Sequence, residues 1–257
     1  WDGIFSEEFS INGGVRQGSP NSPLLFAIYM DVLIERLKNS GYGCKIGDQF
    51  LGCLCYADDI ILLSFTVHGI RKLLSLCDVF AIDYDLKFNT MKSVALRIGP
   101  RHDAFCVPLL LSGSELKYVN TVKYLGICIC AGKRFKCSIE HVKMNFFRSF
   151  NCILYHSKFA LSELVSVNLL KCYCLPILLY ACEAVCLTKT DMNKLDNCIN
   201  LAIMKIFRLS DAVNIKHVRA MCQLPYLGNT VEYRKRNFVY KCLHTRQGIA
   251  LFSVLHV

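Results

Sequence analysis

Over the first 130 residues, apolar positions fall in short runs broken by turn residues, with two longer helical stretches among them. Leu24, Leu25, Ile28, Tyr29, Val32, Leu33 and Leu37 recur at helical spacing and predict a helix over 22–39. Ser22-Pro23 reads as its N-cap and first-turn proline, and Gly41 as its stop. A second helix is predicted over 68–84 from Ile70, Leu73, Leu74, Cys77, Phe80, Ala81 and Tyr84. Short strands are expected at 93–98, 107–111, 115–119 and 123–130, punctuated by Gly99-Pro100 and Ser112-Gly113. After Gly132 the period becomes helical, near 136–156, 161–173, 176–187, 190–209, 214–223 and 229–246. Thr190-Asp191 marks a start, and Pro176 and Pro225 mark breaks. The pattern therefore divides the chain into an α+β unit, 1–130, and an all-helical unit, 131–257. In the first, an antiparallel sheet with helices on one face is expected.

Within the first unit, Tyr56-Ala57-Asp58-Asp59 stands at the tip of a predicted hairpin over about 50–65, with apolar strands on both sides. Adjacent like charges between apolar strands are unfavourable by repulsion and desolvation. A divalent cation would neutralise them, and oxygen-only ligation points to Mg²⁺. The competing reading is a polar hairpin turn, where aspartate is common.

Composition bears on compartment and partners. Hydrophobic residues make up 53% of the 257, yet the best apolar run, Cys172 to Cys182, is eleven residues long and holds Pro176, too short to span a bilayer. Sixteen cysteines are scattered through apolar segments without zinc-type spacing, which suits buried free thiols in a reducing compartment. There is no signal-peptide pattern, so an intracellular protein, nuclear or cytoplasmic, is expected. With Trp1 first and Met30 the first methionine, the chain reads as part of a longer protein. Net charge is +10 and is unevenly spread: residues 1–130 carry −1 and residues 131–257 carry +11. The split suits a polyanion held by the second half and presented to carboxylates in the first, or simply a solvated basic surface.

Three further segments accompany the hairpin in fixed order. They are Gly14-Val15-Arg16-Gln17-Gly18-Ser19-Pro20-Asn21-Ser22-Pro23, then Leu86-Lys87-Phe88-Asn89-Thr90-Met91-Lys92-Ser93, then Tyr124-Leu125-Gly126. With Tyr-Ala-Asp-Asp between the first two, the set resembles the palm of a reverse transcriptase, matching its motifs B, C, D and E in order. Ala57, the string from Leu25 to Met30 and the segment Leu175-Pro176-Ile177-Leu178-Leu179-Tyr180 resemble non-LTR, LINE-type retrotransposons more than retroviruses.

The resemblance implies a polymerase-type palm followed by an all-helical thumb and a C-terminal helical region. It also implies RNA template, DNA primer and nucleoside triphosphates as partners, with no membrane, and two Mg²⁺ ions as cofactor. By the same resemblance Asp58 is the principal catalytic and metal-binding carboxylate and Asp59 supports it. Tyr56 and Ala57 lie near the primer end, and Gln17 and Gly18 line the nucleotide and template pocket. Arg16 contacts phosphate or faces solvent, and the glycine loop is alternatively an ordinary helix lead-in. Lys92 approaches the triphosphate or is a plain turn lysine. Tyr124, Leu125 and Gly126 resemble the primer grip, with Leu125 alternatively a core residue. Lys133, Arg134, Lys136, Lys143, Arg148 and Lys158 resemble a thumb surface tracking duplex phosphates.

The family's motif A aspartate has no candidate here, since Asp2 lacks an apolar strand before it. Negligible polymerisation by this chain alone is therefore expected. The alternative is a decayed or domesticated remnant that only binds nucleic acid or a protein partner. No ribonuclease H carboxylate set is recognisable.

Overall fold

The computed structural model describes residues 7, 14, 18–157, 162–245 and 248. Arg16, Gln17 and Lys158 lie outside the described residues. Backbone contacts gather the chain into two compact units: 1–93 with 106–116, and 94–105 with 117–257. This division by compactness differs from the break in hydrophobic period near residue 130.

The first described element of the first unit is α1 (Ser22–Asn39), whose N-cap is Asn21 and whose second residue is Pro23, so the helix opens one residue earlier than the Ser22 cap implied. Its apolar face is split. Met30, Leu33 and Leu37 are buried, whereas Leu24, Leu25 and Ile28 in the first two turns are exposed. Two short hairpins follow, β1 (Lys45–Ile46) with β2 (Gln49–Phe50), then β3 (Cys53–Tyr56) with β4 (Asp59–Leu62). Next comes α2 (Val67–Asp83), capped by the Thr66 hydroxyl, which accepts the Gly69 N–H at 3.0 Å. Leu73, Leu74, Cys77, Phe80 and Ala81 form its buried stripe. The two helices are joined at their ends: Arg36 pairs with Asp83 at 2.6 Å and lies over the Phe80 and Tyr84 rings, and the Tyr29 hydroxyl donates to the Tyr84 carbonyl. Asp78 of α2 accepts the Ser112 N–H at 2.8 Å, tying the helix to the strand that ends beside it.

In the first unit β6 (Leu109–Leu111) pairs antiparallel with residues 114–116 of β7 (Ser114–Tyr118), and in the second β5 (Val94–Ala95) pairs parallel with Lys117 and Tyr118. β8 (Thr121–Tyr124), β9 (Ile127–Cys130) and β10 (Lys136–Ser138) form an antiparallel meander. The expectation of one antiparallel sheet thus gives way, among the described residues, to small separate sheets with one parallel pairing. The chain is of mixed α and β structure.

Helices dominate the rest of the second unit: α3 (Glu140–Ser157), α4 (Glu163–Leu169), α5 (Leu175–Leu179), α6 (Lys189–Phe207), α7 (Ala212–Met221) and α8 (Leu227–Leu243). Pro176 does not break the chain away from α4 as expected. A π-helical turn, Leu170–Cys174, carries α4 into α5 and leaves Pro176 as the second residue of α5. The core joins Phe146 and Phe150 of α3 to Val167, Leu170 and Leu178, and to Leu195, Ile199, Ala202 and Ile203 of α6. The cap of α6 is Thr188, two residues before the sequence signal, in a capping box with Asp191. That hydroxyl bond holds the Asp191 carboxyl below its ordinary range.

A buried charged cluster pins α6, α7 and the start of α8. Arg219, fully buried, donates to both Asp196 oxygens (2.9 and 2.7 Å), Asn200 Oδ1 (2.7 Å), and the Leu224 and Pro225 carbonyls (3.0 and 2.7 Å). Asp196 also accepts the Leu227 N–H at 3.0 Å, and the guanidinium lies 4.5 Å from the Tyr226 ring centroid. All five guanidinium N–H groups are thereby engaged.

No disulfide joins the cysteines among the described residues, and only six of the sixteen are buried; Cys152, Cys172 and Cys186 are exposed. Burial pushes the Cys77 thiol up to about 12, and Cys174 and Cys182 to about 11. No helix among the described residues is long and apolar enough to cross a membrane.

Candidate functional site

Strands β3 and β4 pair in direct register, Cys53 with Leu62 through Tyr56 with Asp59, leaving a two-residue turn of Ala57 and Asp58. Beyond the open end the hairpin is fastened by Leu63 N–H to Gly52 O (2.8 Å) and Cys44 N–H to Leu63 O (3.0 Å). Ala57 takes φ 51°, the left-handed conformation that two-residue hairpin turns require and that a Cβ disfavours. The tip is open to solvent: Tyr56 is 63% exposed, and Ala57, Asp58 and Asp59 are all exposed. The carboxylates are therefore not packed between apolar surfaces, as the sequence suggested, but projected beyond them by the turn. Water lowers the cost of holding the two charges together and leaves both carboxylates open to a cation. Among the described residues no three His, Cys, Asp or Glu side chains come together in a metal-holding group. Asp58 and Asp59 are thus two oxygen donors that suit a hard cation without completing its site.

Gly18, exposed with φ 80°, leads into α1 in a conformation that favours glycine. Lys92 sits in a turn in which its N–H donates to Asn89 Oδ1 (3.1 Å), and its side chain is exposed. These groups and the hairpin all belong to the first unit.

Tyr124, Leu125 and Gly126 belong to the second unit. The predicted strand over 123–130 is two strands there, with Leu125-Gly126 as the two-residue turn between β8 and β9. Both turn residues have positive φ, 44° and 79°. Leu125 is 37% exposed, so the core reading does not hold. Tyr180, which the sequence offered only as part of a family-like segment and not as a site residue, meets this turn: its hydroxyl donates to the Leu125 carbonyl at 2.9 Å. A Cβ on Gly126 would stand 2.9 Å from the Tyr180 ring.

Of the basic residues, Lys133 and Arg134 lie between β9 and β10, with Lys136 on β10, and all three are exposed. The expected helix at 136 begins instead with this strand. On α3, Arg148 is exposed, while Lys143 is half-buried and paired with Glu140 at 3.1 Å, which offsets its charge. In the run Arg234-Lys235-Arg236 both arginines are paired, with Glu183 and Glu232.

Comparison with known proteins bears on the family of the chain. Residues 2–129 match the reverse transcriptase (RNA-dependent DNA polymerase) family model. The chain is 35% identical over 145 residues to the Retrovirus-related Pol polyprotein from type-2 retrotransposable element R2DM of Drosophila melanogaster, covering 53% of this chain and 14% of that protein. It is 38% identical over 124 residues to the Retrovirus-related Pol polyprotein from type-1 retrotransposable element R2 of Nasonia vitripennis, covering 44% of this chain and 12% of that protein. Over 243 residues, 90% of this chain and 26% of the relative, it is 23% identical to the RNA-directed DNA polymerase from mobile element jockey of Drosophila funebris. The chain thus spans only a minor part of the length of the curated relatives it matches. It belongs to the reverse transcriptase family, the RNA-directed DNA polymerases, in the branch carried by non-LTR retrotransposons.

Proposed function

We propose that this chain supplies part of the catalytic centre and the primer-holding surface of an RNA-directed DNA polymerase that copies a non-LTR element inside the cell. The observation that carries the reading is the exposed Ala57-Asp58 turn, which projects Asp58 and Asp59 from a closed hairpin within the family-matched segment. These carboxylates would hold Mg²⁺, which when bound activates a primer 3′-hydroxyl and neutralises triphosphate charge. Two ions about 3.5–4 Å apart require ligands from more than one element, so Asp58 and Asp59 act with a further carboxylate. Gly18 and the residues before it line the nucleotide and template, and Lys92 offsets triphosphate charge. Tyr124, Leu125 and Gly126 hold the primer backbone. Lys133, Arg134, Lys136 and Arg148 contact duplex phosphates, with a smaller share for the already paired Lys143. Free thiols throughout suit a reducing, intracellular setting.

The full chain is tested with a recessed DNA primer on an RNA template. Binding that weakens steeply with salt is expected, with extension no greater than background because the carboxylate set is incomplete. Robust extension abolished by Asp58→Ala would overturn the inactivity, and salt-insensitive or absent binding would overturn the nucleic-acid reading.

A further inference from the structure

The Leu125-Gly126 turn is strained on one side and crowded on the other. Leu125 holds φ 44°, a conformation its Cβ disfavours, and Gly126 holds φ 79°. Such a turn persists where its surroundings over-determine it. Tyr180 does so in two ways. Its hydroxyl donates to the carbonyl of the strained residue, and its ring fills the space where a Cβ on Gly126 would stand. The base beneath Tyr180 is firm: Leu178 and Leu179, which precede it, are buried in the helical core, and its own N–H donates to Ile177 O at 3.4 Å. Tyr180 as a whole is 55% exposed, so it lies at the surface beside the turn.

We propose that Tyr180 is a positioning residue: it fixes the Leu125-Gly126 turn and thereby sets how tightly a recessed primer end is held. The second half of that statement rests on reading residues 124–126 as the primer-holding turn. The phenol couples the end of α5 to the β8–β9 hairpin, so the helical core dictates the conformation of a surface turn. Leu125 contributes its carbonyl, and its strain makes the turn depend on the phenol.

The test uses the full chain and Tyr180→Phe, which keeps the ring and removes the donor. Three quantities are read: amide hydrogen exchange over 121–130, affinity for a recessed primer–template duplex, and affinity for single-stranded RNA of equal length. Loss of one hydrogen bond is expected to speed exchange at the hairpin about fivefold and to weaken the recessed duplex by about the same factor. Single-stranded RNA binding and the urea midpoint of the helical core should stay unchanged. Leu125→Gly, which adopts the turn without strain, should suppress the effect of Tyr180→Phe on both exchange and duplex affinity. Unchanged exchange over 121–130 in Tyr180→Phe overturns the positioning role. A wild-type chain that does not favour the recessed duplex over single-stranded RNA overturns the primer reading, and the exchange measurement then still decides whether Tyr180 holds the turn.

Discussion

Asp196→Ala should unfold the helical unit far more readily than any surface charge change. The substitution leaves the Arg219 guanidinium buried, with its two Asp196 bonds of 2.7 and 2.9 Å lost. Removing one partner of a buried ion pair costs about 3–5 kcal/mol. The Leu227 N–H also loses its acceptor, at about 1–3 kcal/mol if no water replaces it. A drop of about 4 kcal/mol or more would consume much of the stability of an ordinary domain, about 5–15 kcal/mol. Glu232→Ala is the control, since its pair with Arg236 is exposed on both sides and such pairs contribute about 0–1 kcal/mol. Urea unfolding at pH 7, followed by circular dichroism with hydrogen exchange over 212–243, reads the difference. If Asp196→Ala costs less than about 1 kcal/mol, no more than Glu232→Ala, then the cluster does not hold these helices together.

Thr188→Ala should destabilise α6 by about 0.5–2 kcal/mol through loss of its capping box, measured as a lowered urea midpoint. The partner Asp191 has a depressed folded pKa, so its contribution is full above the ordinary carboxylate value of 3.8 and is lost as pH falls through the folded one; acid titration of the Thr188→Ala difference should show it shrinking only in that range. Thiol labelling at pH 8 should strike Cys152, Cys172 and Cys186 first and spare Cys77, Cys174 and Cys182, which are buried and remain protonated; equal rates across the six, by peptide mapping, would contradict this. Because the Cys77 thiol is raised from 9.0 to about 12, its contribution to stability is full below pH 9 and is lost as pH rises towards 12. At the Ala57-Asp58 turn, Ala57→Val should destabilise the hairpin by about 1–2 kcal/mol, whereas Ala57→Gly should leave it as stable or more so, by hydrogen exchange over 53–62.

What the sequence made legible was local and periodic. The span of α1, nearly all of α2 and the body of α6 follow from apolar spacing, and the paired strands around Asp58 and Asp59 follow from short apolar runs about a polar turn. Pro176 misled because the π-helical turn that carries the chain from α4 into α5 has no period of its own in the sequence. The turn at Leu125-Gly126 was hidden because leucine rarely adopts positive φ, so only Gly126 marked it. The Arg219 cluster was invisible to a reading that sends charges to solvent. Its one local signal was spacing, since Arg219 follows buried Ile215 by four residues on the same helix face. At the Asp58-Asp59 turn the residue identities were readable, but their exposure was not, because it depends on how far the turn projects beyond the strands.

The central claim is that Asp58 and Asp59 are metal carboxylates of a reverse transcriptase centre. Paramagnetic line broadening by Mn²⁺, a substitute for Mg²⁺, tests it on the isotope-labelled chain without requiring activity. The account predicts weak, saturable broadening centred on residues 57–60 that Asp58→Asn abolishes while the fold is kept. Broadening centred elsewhere, or broadening at the tip that survives Asp58→Asn, would contradict it.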